Sequence, residues 1–196
     1  MVRLVGTGTW VEHKDCYLRI VRKYDSSIIL TTKDSWFWRA CAWLVAIFTF
    51  GGISRQRFLS DFGTTLGPVQ AYPSSWSSLS TELLIHEARH TAQARWFGLG
   101  ISPWLGLPLM AVAYLLLPLP LGLAYFRYML ELDADRATWR QMLRDGMSTQ
   151  TVLKRAAKFG KLVGGGSYGW AWPGAEEGFK RAAAKVALED HALKGR

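Results

Sequence analysis

Two segments rich in metal-ligating residues flank a long uncharged one, and this arrangement limits the fold more than any other feature of the chain. His86-Glu87-Ala88-Arg89-His90 precedes residues 101–126, which carry no charged side chain, and Glu131-Leu132-Asp133-Ala134-Asp135 follows them. By hydropathy alone residues 101–126 are a transmembrane candidate. A single span of about 20 residues, however, would hold its ends roughly 30 Å apart. If His90 and Glu131 bind one ion, those ends must meet and the segment must double back. Pro118 and Pro120 supply a natural break for the turn. Each arm is then too short for a comfortable span. The expectation is an apolar helical hairpin, buried or dipping into a membrane, between two ligand helices.

The spacing of the first segment has a chemical reason. Residues i and i+4 of a helix share one face, so the imidazoles of His86 and His90 can reach one tetrahedral ion. Glu87 stands beside them, placed to take a proton from metal-bound water, whose pKa zinc lowers to near 7. The context is helical. Ser80 offers an N-cap, Glu82 puts negative charge in the first turn, and Gly98 or Gly100 offers a stop. Leu83, Leu84, Ala88 and Ala92 recur along an apolar face. In the second segment Glu131 and Asp135 are again i and i+4. Glu131 completes a His2Glu set, leaving one position for water. Asp135 is placed to accept from the other ring nitrogen of a ligand histidine. Asp133 is a weaker alternative ligand. Without the first segment, this one would read equally well as an acidic, solvated helix face.

HEARH followed by ELDAD resembles the HExxH…ExxAD pattern of gluzincin metallopeptidases. It is similar to the membrane-associated prenyl-protein and heat-shock peptidases, and more closely to small minigluzincin-like proteins of bacteria and their phages. In those, a Thr-x-Gly stretch with an aromatic-Pro pair precedes HExxH, a Gln follows the second His, and an apolar stretch separates the ligands. The matching residues here are Thr65-Leu66-Gly67, Tyr72-Pro73, Gln93 and residues 101–126. A Trp-rich element at 168–173 is also similar. The resemblance covers residues 60–175, and the first 55 residues match nothing. It implies a zincin-like fold, a Zn2+ cofactor, a protein or peptide substrate, and an edge strand at 64–72 lining the cleft, where substrate pairs by β-augmentation. Tyr128 and Tyr168 are the candidate oxyanion stabilisers, each weighed against a packed aromatic.

The rest of the chain reads as an α+β domain with a small, mostly N-terminal sheet. A chain of 196 residues fits one domain, partitioned as N-terminal strands and apolar helix (1–55), metal-site core (56–146) and C-terminal helices (147–196). Residues 16–32 look like a hairpin, an alternating CYLRIVR run and a β-branched SIILTT run about a polar turn. Residues 35–50 read as an apolar helix, buried or interfacial, 54–78 as loop-rich, and 121–144, 148–161 and 175–194 as helices.

Composition narrows the function less. Net charge is +9, but the basic residues are scattered and no helix-turn-helix or zinc-finger spacing accompanies them, so nucleic-acid binding is not predicted. The two cysteines form no CxxC and are read as reduced. No secretory signal is read at the start of the chain, so a cytoplasmic protein is expected or, as the resemblance to phage proteins implies, a virion-associated one, and peripheral membrane contact stays open. Ten Trp suit a core, a membrane interface or a subunit interface. The readings that compete are a zinc metallopeptidase, a structural or assembly protein of a homo- or hetero-oligomer such as a phage virion component, and a membrane-associated binding protein.

Overall fold

A computed structural model describes residues 9–49, 51–113, 124–165 and 172–194. They form an α+β protein whose small sheet lies in the N-terminal half. The chain divides into two compact units, Met1–Val112 and Ala113–Arg196.

The first unit begins with a 3-10 turn, Trp10–His13, that leads into α1 (Lys14–Val21). The hairpin expected over residues 16–32 does not form, since only Ile29–Thr32 is a strand (β1). A run as short as CYLRIVR fits both periods. Tyr17 and Val21, four apart, are buried with Leu18 packed beside them, so the helical reading wins. Tyr17 also accepts a hydrogen bond from the backbone of Leu79 through its hydroxyl (3.2 Å).

Then follow α2 (Trp36–Phe48), α3 (Arg55–Ser60), β2 (Thr64–Leu66), β3 (Val69–Tyr72), α4 (Thr81–Phe97) and α5 (Pro103–Ala111). The sheet order is β1-β3-β2. β1 runs parallel to β3, Ile29 beside Val69 and Thr32 beside Tyr72. A parallel pair needs a long crossover, and α2 and α3 occupy it. α3 was hidden in a stretch that reads as loop. Ser54 caps it by accepting from the Arg57 N–H. The single edge strand expected at 64–72 is instead a hairpin. β2 and β3 pair antiparallel about Gly67 (φ 58°) and Pro68, so β3 is the central strand and β2 the edge.

Alternation on β3 sorts the core. Tyr72 joins Trp10, Ile28, Leu30, Leu84 and Ala88 on one face. Ala71 and Val69 meet Trp38, Ala42 and Phe58 on the other. So α4 lies on the Tyr72 face, and α2 and α3 on the Ala71 face. α5 crosses α4 closely. A side chain at Gly106 would collide with the carbonyl of Ala94, so only glycine admits this approach. α5 belongs to the first arm of the expected apolar hairpin. Pro118, Pro120 and most of the second arm fall outside the described residues. Among the described residues, no helix is long and apolar enough to cross a membrane.

The second unit holds α6 (Ala124–Arg144), α7 (Thr149–Gly164) and α8 (Ala175–Lys194), close to the helices read from sequence. α6 stops at Gly146 (φ 83°), and Ser148 caps α7 through the Thr151 N–H. Trp139, Met142, Val152, Phe179, Ala183 and Val186 form its core. Gly160 lets α7 approach α8. A Cβ there would stand 2.8 Å from the Cα of Glu176 and 2.9 Å from the Cβ of Phe179.

Candidate metal centre

α4 carries the first histidine pair, and its start is well defined. The Ser80 hydroxyl accepts from the Leu83 N–H (3.2 Å), and Glu82 complements the helix dipole in the first turn. One helical turn separates His86 from His90. Their rings cross at 82° with Nε2 atoms 3.1 Å apart. His90 is buried and His86 half-buried. The Nδ1 of His90 lies 2.8 Å from the Gln93 Oε1. Gln93 is buried, and its carbonyl oxygen can accept from Nδ1–H, leaving Nε2 as a lone-pair donor.

Glu131, on α6, is buried (2% exposed). Among the described residues, His86 and His90 on α4 and Glu131 on α6 are the group that could hold a metal ion. Two imidazoles and a carboxylate are the donor set of a His2Glu zinc site. Two imidazole Nε2 atoms at 3.1 Å, one fixed by Gln93 as an acceptor, also suit a shared cation. The residues present therefore fit a metal ion. Asp135 follows Glu131 by one turn and is buried; Asp133 is half-buried.

Glu87 points toward the sheet rather than to solvent and is 6% exposed. The Thr65 hydroxyl donates to its Oε2 at 2.6 Å. Beside its other oxygen lies Gly63. A Cβ at that position would stand 3.2 Å from Oε1 and 2.9 Å from the Tyr72 ring. Tyr72 is fully buried and donates to the Gln70 Oε1 (3.1 Å). Burial, and then the negative charge of Glu87, hold the Tyr72 hydroxyl well above its usual pKa, so it stays protonated.

The edge strand β2 serves both faces of the sheet. Thr65 turns to Glu87, while its neighbour Thr64 turns the other way and accepts from the Lys33 Nζ (2.6 Å). Lys33 is 3% exposed, donates also to the Phe58 carbonyl (2.7 Å), and lies 3.9 Å from the centre of the Phe58 ring. Burial pushes its pKa down to about 7, against the pull of the Glu87 charge.

Tyr128 stacks on Trp172 (6.0 Å, 25°), meets Phe179 edge-on, and has its hydroxyl against Gly178. Tyr168 falls outside the described residues. Arg95, in the last turn of α4, holds a carboxylate. Its Nε and Nη2 donate to Asp25 at 2.8 and 2.9 Å, joining α4 to the turn before β1. That bond holds the Asp25 carboxyl down to about 2. Thr65 stood in the Thr-x-Gly match without its bond to Glu87 being foreseen, and Lys33 carried no signal in the sequence. Gln93 was marked by the resemblance, in which a Gln follows the second His.

Comparison of the chain with family models, with curated proteins and with solved structures gives no match.

Proposed function

We propose that the protein is a zinc-dependent peptidase, with His86, His90 and Glu131 as metal ligands and Glu87 as general base. The observation that carries this reading is the environment of Glu87. A carboxylate is costly to bury, yet this one is buried next to a ligand histidine, with Thr65 fixing one oxygen. Held so, it is pre-oriented to take a proton from the attacking water and to return it to the leaving amine. Zinc held there would act as a Lewis acid toward the scissile carbonyl and acidify the attacking water. Gln93 keeps His90 in the ligating tautomer, and Asp135 is the candidate to do the same for a ligand ring. Among the described residues β2 ends the sheet, so an extended substrate would pair along its outer edge beside Glu87.

The test is digestion of unfolded casein by the zinc-reconstituted full chain beside Glu87→Gln. The reading expects cleavage by the wild type, a loss of roughly 100-fold or more in the variant, and equal zinc content in both. Equal cleavage by both would refute Glu87 as the base. Zinc retention without cleavage of any peptide by the wild type would favour a structural or assembly role for the site.

A further inference from the structure

α2 is apolar on both sides. Its inner side sends Trp38 and Ala42 into the core on the Ala71 face of the sheet. Its outer side presents Trp36, Trp43, Leu44 and Ile47, which are 78%, 54%, 54% and 62% exposed. These positions fall on one helical face, and Arg39 is the helix's single charged residue. An exposed apolar stripe of this size marks an interaction surface.

The surroundings of the stripe indicate what covers it. Arg55, at the start of α3, lays its guanidinium 3.8 Å from the centre of the Trp43 ring. Arg39, Trp43 and Arg55 line a cavity of about 780 Å³ beside the stripe. Lys33 lines it too, and Asp34, its one acidic wall residue, accepts a hydrogen bond from Ser74. Residues 35–60 contain no Asp or Glu. An apolar helix face bordered by tryptophan and two arginines, with Asp34 the one acid in the adjoining cavity wall, complements an anionic bilayer surface. Aliphatic side chains enter the acyl boundary, Trp sits at headgroup depth, and arginines meet phosphate. A two-fold dimer through the same face would crowd Arg39 and Arg55 against their own copies. At 13 residues α2 is roughly 20 Å long, which suits lying in the interface rather than crossing it.

We propose that α2 seats the protein on an anionic phospholipid surface, its outer face in the acyl boundary and Arg39 and Arg55 on headgroup phosphates. This site stands on the sheet face opposite α4 and is independent of the metal reading.

The test is co-sedimentation of the full chain with vesicles of phosphatidylcholine, without and with phosphatidylglycerol. The wild type should pellet with the phosphatidylglycerol vesicles and far less with phosphatidylcholine alone. The double variant Leu44→Glu/Ile47→Glu should bind at least about tenfold more weakly. Arg39→Gln and Arg55→Gln should each weaken binding about fivefold. Leu188→Glu, an exposed change on α8, should bind as the wild type does, and circular dichroism should show every variant folded. A folded wild type that stays in the supernatant with both vesicles overturns the proposal. So does a double variant that pellets as well as the wild type. A dimer that the double variant splits, with no vesicle binding, overturns it too and makes this face a self-interface.

Discussion

α4 and α8 are both buried helices, and they bury opposite kinds of residue. α8 encloses Phe179, Ala182, Ala183, Val186 and Ala187. α4 encloses Glu87, His90, Thr91 and Gln93 along with its leucine, isoleucine and alanines. Apolar burial stabilises a helix with little need for exact partners. A buried polar group costs stability unless a specific atom meets it. α4 meets that condition at two residues, with Thr65 from another element for Glu87 and Gln93 from its own next turn for His90, while the buried Thr91 hydroxyl has no hydrogen-bond partner among the described residues. The contrast separates a helix held by apolar packing from one that depends on specific polar partners.

The largest change in stability should come from the apolar side. Phe179→Ala removes the ring that Tyr128, Trp139 and Phe159 surround. It should destabilise the protein by about 3–5 kcal/mol in chemical denaturation. Zinc content per folded chain should not change. A variant as stable as the wild type would show that α8 is not the anchor described.

Asp25→Asn tests how firmly α4 is tied down. The folded pKa of Asp25, about 2, lies below its ordinary 3.8. Its contribution is therefore present above pH 4 and lost as pH falls through about 2. At pH 7 the substitution should cost about 2 kcal/mol, and the two stability curves should converge near pH 2. Parallel curves down to that pH would show that the Arg95 pair does not set the shift.

Thr65→Val sharpens the contrast from the polar side. It should cost about 1–2 kcal/mol in stability, since it leaves a buried carboxylate without its hydroxyl donor. The loss in peptide cleavage should exceed about tenfold, with Thr65→Ser recovering most of it. Equal activity in all three proteins would remove Thr65 from the account. The smallest effect belongs to the helix start. Ser80→Ala should lower stability by about 1 kcal/mol and leave metal binding intact.

Much of the helical frame was legible in sequence because its signals are local. Ser80 and Ser148 cap, Gly98 and Gly146 stop, and the His86/His90 and Glu131/Asp135 pairs keep helical spacing. What sequence hid depends on contacts far along the chain. Residues 16–22 suit a strand until Tyr17 and Val21 find Ile28, Leu30 and Leu84. The parallel pairing of β1 with β3 spans nearly forty residues, and local pattern carries no trace of it. The Thr-x-Gly match marks Thr65 but not its partner Glu87, which appears only when β2 is laid beside α4, and Lys33 looks like a surface lysine until Phe58 and Thr64 close over it. The candidate ligands were readable because helical spacing marks them on α4 and on α6; Thr65, which supports Glu87, comes from another element.

The most direct test of the central claim is the zinc content of the full chain after reconstitution at neutral pH, beside His86→Ala, His90→Ala, Glu131→Ala and Glu87→Gln. The account predicts one zinc per wild-type chain, a sharp loss in each of the three ligand variants, and full retention in Glu87→Gln. A wild type that holds no zinc would contradict it, as would zinc binding that survives all three ligand substitutions.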